Sequence, residues 1–385
     1  MPPLPAPDDD ALAHSRALQN VIAVEIEKQG GWITFARYME LALYAPGLGY
    51  YSGGAHKFGG AGDFVTAPEI SALFGQTLAR PIAEMLEQTR GDILELGAGN
   101  GKLALDLLLA LEQSGALPPR YFILEVSADL QQRQRDLLQQ HAPHLLPRVT
   151  WLARLPQKFS GVILANEVLD ALPVHLVVWR QGKIFERGVV TAPEGFAWED
   201  KPLRAGALWD AAQKMSPEAR QSAYLSEINL AANALISSLA EMLLEGAMLI
   251  IDYGFGQREF YHPQRDRGTL MCHYRHRAHD NPFYLPGLQD ITSHVDFSAV
   301  AEAAQAGGLN LLGYTTQAHF LINCGITEIL AKTSPENPRD YLPLANQLQK
   351  LVSPAEMGEL FKVIAFGKGV EQMLGFSGGD KSRLL

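Results

Sequence analysis

The stretch Ile93-Leu94-Glu95-Leu96-Gly97-Ala98-Gly99-Asn100-Gly101-Lys102-Leu103 constrains this chain more than any other. A short apolar run contains an acid, three glycines follow at every second position, and Leu103, Leu107, Leu108 and Leu111 then repeat on one helical face. The pattern predicts a strand, a tight turn and a helix. A glycine-rich turn at such a junction lets a ligand approach bare backbone at a helix N-terminus. Spacing narrows the ligand. A dinucleotide-binding turn wants its third glycine where Lys102 stands. A phosphate-cradling loop needs glycine at Leu96 and a hydroxyl residue at Leu103, and both are apolar. A carboxylate at Glu95 would repel pyrophosphate and attract a cation. The bland alternative is a strand-to-helix turn that binds nothing.

The acid-x-Gly97-x-Gly99-x-Gly101 pattern resembles the nucleoside pocket of S-adenosylmethionine (AdoMet) methyltransferases. AdoMet carries a sulfonium and an ammonium, which acids such as Glu95 would favour. The next strand, Tyr121-Phe-Ile-Leu-Glu125, ends in an acid where an α/β nucleoside binder accepts hydrogen bonds from ribose hydroxyls. The structural alternative for Glu125 is a solvated strand end. Strand and helix patterns alternate from there on, which predicts an α/β fold; the resemblance implies that it is the Rossmann-like class I methyltransferase fold. Its doubly wound, mostly parallel sheet takes strands near 92–96, 121–125, 148–152, 160–165, 174–180, 247–252, 309–315 and 319–323. Residues 1–90 read as an N-terminal helical region, helical over about 11–45, with a Gly-rich loop that includes Phe58 to Asp63, then a helix from Ser71 to Glu87. Residues 91–330 form the core, with a helical insertion over about 192–245 that includes Asn229 to Leu244. Residues 331–385 read as a helical tail.

Composition sets the outer limits. The chain has 385 residues, 47% of them hydrophobic, enough for a large packed core. A formal net charge of -10 disfavours a general nucleic-acid binder and suits an arginine-bearing protein partner. Cys272 and Cys324 are the only cysteines, which points to a reducing compartment. No apolar run reaches membrane-spanning length, and the Pro-rich, acidic start is unlike a basic presequence. Together these predict a cytoplasmic protein, with a homodimer left open.

A second constellation is Val162-Ile-Leu-Ala-Asn166-Glu167-Val-Leu-Asp170, a buried strand that delivers Asn166 and Glu167 at its carboxyl end. With Gly62-Asp63-Phe-Val-Thr-Ala-Pro-Glu69-Ile-Ser, Ile251-Asp252-Tyr-Gly-Phe and the block from Arg267 to Asp296, the chain resembles the MidA-like methyltransferases. The likeness runs from about residue 15 to residue 330 or beyond. That family includes the mitochondrial assembly factor that methylates an arginine of a respiratory complex I subunit. The resemblance therefore implies AdoMet as cofactor and protein arginine N-methylation as the reaction.

Arginine is a poor nucleophile, because its guanidinium stays protonated with a pKa above about 12. A carboxylate accepting paired hydrogen bonds orients it and stabilises its charge. Glu167 is the first candidate, with Asp170 or Asp296 as a second acid and His294 as a relay for the released proton. Asn166 and Glu69 join Glu95, Gly97, Gly99, Gly101 and Glu125 as candidate cofactor contacts. Structural alternatives stand beside each: Glu167 and Asp170 suit the first turn of a helix, His294 and Asp296 an ordinary strand or loop, and Glu69 a helix cap.

His262, His273, His276, His279 and His294 raise a metal site, but Arg275 and Arg277 interleave them. The flanking Gly268, Pro282 and Pro286 favour a loop over an active site instead of a ligand-bearing helix, so no metal is expected. Two other classes remain open at this level: a methyltransferase acting on RNA or a small molecule, and an assembly factor that binds AdoMet without catalysis.

Overall fold

The computed structural model describes residues 4–53, 65–214 and 223–385. Gly62, Asp63 and the loop from Phe58 lie outside the described residues. Two compact units are interleaved in sequence, so boundaries at about 90 and 330 do not mark them. The first comprises Met1–Phe64, Asp170–Ala234 and Phe255–Asp296; the second comprises Val65–Leu169, Leu235–Gly254 and Phe297–Leu385.

The second unit is built on a sheet of β1 (Asp92–Leu96), β2 (Tyr121–Leu124), β3 (Val149–Leu152), β4 (Phe159–Asn166), β5 (Leu243–Phe255), β6 (Asn310–Thr316) and β7 (Phe361–Lys368). Their order across the sheet is β6-β7-β5-β4-β1-β2-β3. Pairs β1·β2, β2·β3, β1·β4 and β4·β5 are parallel. Parallel strands covered by helices are buried on both faces, hence continuous apolar runs such as Val162-Ile-Leu-Ala. The chain enters at β1, moves outward to β3, then returns to β4 on the other side of β1. That reversal opens a crevice at the carboxyl ends of β1 and β4, the usual ligand position in open α/β sheets. Leu96 is in register with Ala165, so Gly97 and Asn166 start neighbouring loops at that crevice.

Two expectations are corrected in this unit. The tail is not wholly helical: after the helix Pro338–Val352, β7 inserts antiparallel between β5 and β6. Phe361-Lys-Val-Ile-Ala-Phe is a β-branched and aromatic run buried on both faces, which favours strand. Residues 319–323 are not a strand but part of the helix Gln317–Asn323, capped by the Thr316 hydroxyl accepting from the His319 backbone N at 3.3 Å.

The first unit carries a separate antiparallel sheet. His175–Arg180 pairs antiparallel with Lys183–Ala192 and with Tyr224–Ile228, so the strand expected near 174–180 exists but outside the parallel sheet. The segment expected as a helical insertion contributes the strands Gly195–Pro202 and Tyr224–Ile228 besides the helices Ala207–Gln213 and Leu230–Met242. At the other end, the region expected as one helix is two, Asp9–Lys28 and Phe35–Tyr44. Gly30 and Gly31, with φ of 79° and 92°, end the first. Asp8 and Thr34 cap the two starts through their side-chain oxygens.

Candidate functional site

The glycine turn is left-handed at all three glycines, with φ of 59° at Gly97, 54° at Gly99 and 89° at Gly101. Any other residue would be strained there. Their surroundings differ. A Cβ on Gly101 would stand 3.2 Å from Gln134 Cα, and one on Gly97 would stand 3.4 Å from Val168 Cγ2. A Cβ on Gly99 would meet nothing within 4 Å, so this turn leaves open space against bare backbone. The Gly97 backbone N donates to the Leu124 carbonyl at 3.0 Å, which ties the turn to β2.

Acids surround the turn at different depths. Glu95 is 2% exposed and its Oε2 accepts from the Tyr121 hydroxyl at 2.7 Å. Burial pushes its carboxyl up to about 7; the Tyr121 bond opposes this and the Glu125 charge adds to it. Glu125, also buried, accepts from the Ser127 backbone N at 2.8 Å through Oε1 and from Gln134 Nε2 at 3.3 Å through Oε2. Val126, directly after it, is an apolar side chain 74% exposed. Glu69, in the short helix Ala67–Ile70, accepts from the Thr66 backbone N at 3.3 Å and from Asn100 Nδ2 at 2.7 Å. It caps a helix and reaches the glycine turn at the same time.

At the end of β4 the backbone is unusual. Glu167 has φ of 53°, a region that non-glycine residues seldom adopt and that clusters at functional sites. Its backbone N donates to the Ile251 carbonyl at 2.9 Å, and Asn166 Nδ2 donates to Glu167 Oε1 at 3.2 Å. Asn166 Oδ1 is buried without a hydrogen-bond partner among the described residues. Asp252, fully buried, accepts from the Leu169 backbone N at 3.0 Å and the Tyr253 backbone N at 2.9 Å. The Ile-Asp-Tyr motif thus fixes the turn that presents Glu167.

The structure brings Glu69, Glu95, Gly97, Gly99, Gly101, Glu125, Asn166 and Glu167 into the second unit, while Asp170, His294 and Asp296 belong to the first. In that unit the Asp170 carbonyl accepts from the Ser293 backbone N at 3.0 Å. The His294 ring stacks on Phe255 at 5.2 Å, and its backbone N donates to Thr269 Oγ1 at 3.0 Å. Asp296 is hydrogen-bonded with Tyr261, whose hydroxyl is pushed well up, first by burial and then by that charge. The histidines between 273 and 279 lie on a hairpin, not a helix: Cys272 pairs with His279 and His273 with Ala278. His273 and His279 therefore face opposite sides of the hairpin. Among the described residues, no group of three His, Cys, Asp or Glu side chains is placed to hold a metal ion.

Gln134, Asn100, Trp151 and Asp252 were not singled out from the sequence as site residues. Gln134 had a readable signal, because it occupies the buried stripe Leu130, Gln134, Leu138 of the helix Ala128–His141.

A sheet that reverses at an open glycine turn, with buried acceptors at the ends of β2 and β4, defines a nucleoside-binding α/β protein. The donor set is acceptor-rich, as ribose hydroxyls, an ammonium and a sulfonium require, so these residues fit AdoMet. The family model for S-adenosyl-L-methionine-dependent methyltransferases matches residues 77–315. The mitochondrial protein arginine methyltransferase NDUFAF7 of Danio rerio is 31% identical over 86% of this chain and 82% of its own. The human one is 30% identical over 88% and 80%. A crystal structure of a Burkholderia thailandensis protein bound to S-adenosyl-homocysteine is 50% identical, covers 100% of both chains and has a TM-score of 0.94. The chain belongs to the family of AdoMet-dependent methyltransferases, as the MidA-like resemblance implied. It is an enzyme of that class with a Rossmann-like fold.

One expectation is corrected here. The curated relatives are mitochondrial proteins, which overturns the cytoplasmic assignment. Low cysteine content reports a reducing milieu and does not tell one reducing compartment from another. No helix among the described residues is long and apolar enough to cross a membrane.

Proposed function

We propose that this chain transfers the methyl group of AdoMet to an arginine side chain of a protein, with Glu167 holding the guanidinium. The observation that carries the reading is the left-handed Glu167 at the end of β4, one strand from the open turn at Gly99. AdoMet supplies an electrophilic methyl on a positively charged sulfur. Glu125 holds the ribose hydroxyls, and Asn166 Oδ1 and Glu69 add acceptors along the donor. Glu167 accepts two hydrogen bonds from the guanidinium and keeps one nitrogen lone pair directed at the methyl carbon. An N–C bond forms as the C–S bond breaks, the sulfonium becomes a thioether, and the proton displaced from that nitrogen passes to solvent. The net charge of -10 favours approach of an arginine-rich segment. The names of the curated relatives support arginine as acceptor. Within this reading a respiratory complex I subunit is the acceptor that the family resemblance suggests.

The Glu167→Gln variant tests the assignment. Methylarginine formation is expected to fall at least about 100-fold, the scale of losing one electrostatic contact to a transition state. S-adenosyl-homocysteine binding by calorimetry is expected to stay within about twofold, since the lost contact is to the acceptor. Undiminished transfer would remove Glu167 from the role.

A further inference from the structure

Gln134 is wholly buried on the core-facing stripe of its helix, where Leu130 and Leu138 flank it one turn either side. A buried primary amide needs partners for both ends. Its Oε1 accepts from the Trp151 indole Nε1 at 2.7 Å, which fixes the amide orientation because the indole only donates. Nε2 must then face the opposite way. It donates to the Gly99 carbonyl at 2.9 Å and to Glu125 Oε2 at 3.3 Å. One side chain thus ties the open turn after β1 to the acid after β2, and is itself oriented from β3.

We infer that Gln134 is a positioning residue for the donor site, holding the Glu125 carboxylate and the Gly99 carbonyl in the arrangement that selects a ribose bearing its hydroxyls. The inference rests on the reading that Glu125 receives those hydroxyls. With one hydrogen of the amide on Oε2 and the Ser127 backbone N on Oε1, the carboxylate is held in one orientation, which sets the directions from which it accepts. The other hydrogen keeps the Gly99 carbonyl turned toward the helix, so the open space beside Gly99 stays clear. Without the amide, Glu125 still has its Ser127 contact but gains rotational freedom, and hydroxyl recognition weakens selectively.

The test compares S-adenosyl-homocysteine with its 2′,3′-dideoxyribose analogue by titration calorimetry on the full chain. Wild type is expected to prefer the hydroxylated ligand by at least about 100-fold, as sites built to bind hydroxyls do. Gln134→Met keeps the volume and removes all three bonds. It is expected to weaken S-adenosyl-homocysteine at least about tenfold and the dideoxy analogue less than about twofold, so the preference shrinks. Trp151→Phe leaves Gln134 in place but frees its amide to turn, and is expected to erode the preference in the same direction. It serves also if Gln134→Met melts early. Equal weakening of both ligands in either variant would overturn the positioning role. A wild type without preference would instead overturn the ribose reading of Glu125, which separates the two failures.

Discussion

At the scale of single residues, the site is written in backbone dihedrals as much as in side chains. The three glycines were legible because only glycine rests at the positive φ that each adopts. Glu167 was legible as chemistry, a carboxylate ending a buried strand, but its left-handed backbone was not, since no local sequence rule puts glutamate there. The strain yields a prediction. Glu167→Gly is expected to be more stable than Glu167→Ala by about 1 kcal/mol in denaturant unfolding, the reverse of the usual order, while neither transfers methyl groups. An alanine variant as stable as the glycine one would show that the turn stores no strain.

At the scale of elements, periodicity identified the buried strands that alternate with helices, and failed where a short apolar run suits either structure. Residues 319–323 have the composition of a strand, yet the Thr316 cap and the inward Phe320 and Leu321 make them helix. β7 was missed for the converse reason: it follows a helix in a tail whose only long signal was helical. Gln134 was legible as a polar residue in an apolar stripe, but its role was not, because its three partners come from three different loops and strands. The β1–β2 pair also carries a pH dependence. Burial raises the Glu95 carboxyl from 4.5 to about 7, so the folded state binds the extra proton and is favoured at low pH. That contribution is full below about 4.5 and is lost as pH rises through about 7. Ligand-free Glu95→Gln is therefore expected to gain stability over wild type between pH 5 and pH 8, by up to about 3 kcal/mol. A constant difference across that range would show that Glu95 does not titrate there.

At the scale of the whole molecule, the fold class, the donor and the family were legible because a few motifs follow in a fixed order along the chain. The interleaving of two units was not, since contacts between distant segments leave no local pattern. Compartment was misread because charge and cysteine content report milieu, not address. The central claim is that the AdoMet-dependent family chemistry ends on a protein arginine. The most direct measurement incubates the full chain and isotope-labelled AdoMet with lysate from cells lacking this protein, followed by mass spectrometry of proteins, RNA and metabolites. Methylarginine on one discrete protein is the predicted result. Label in RNA or a small metabolite, with none on arginine, would contradict it.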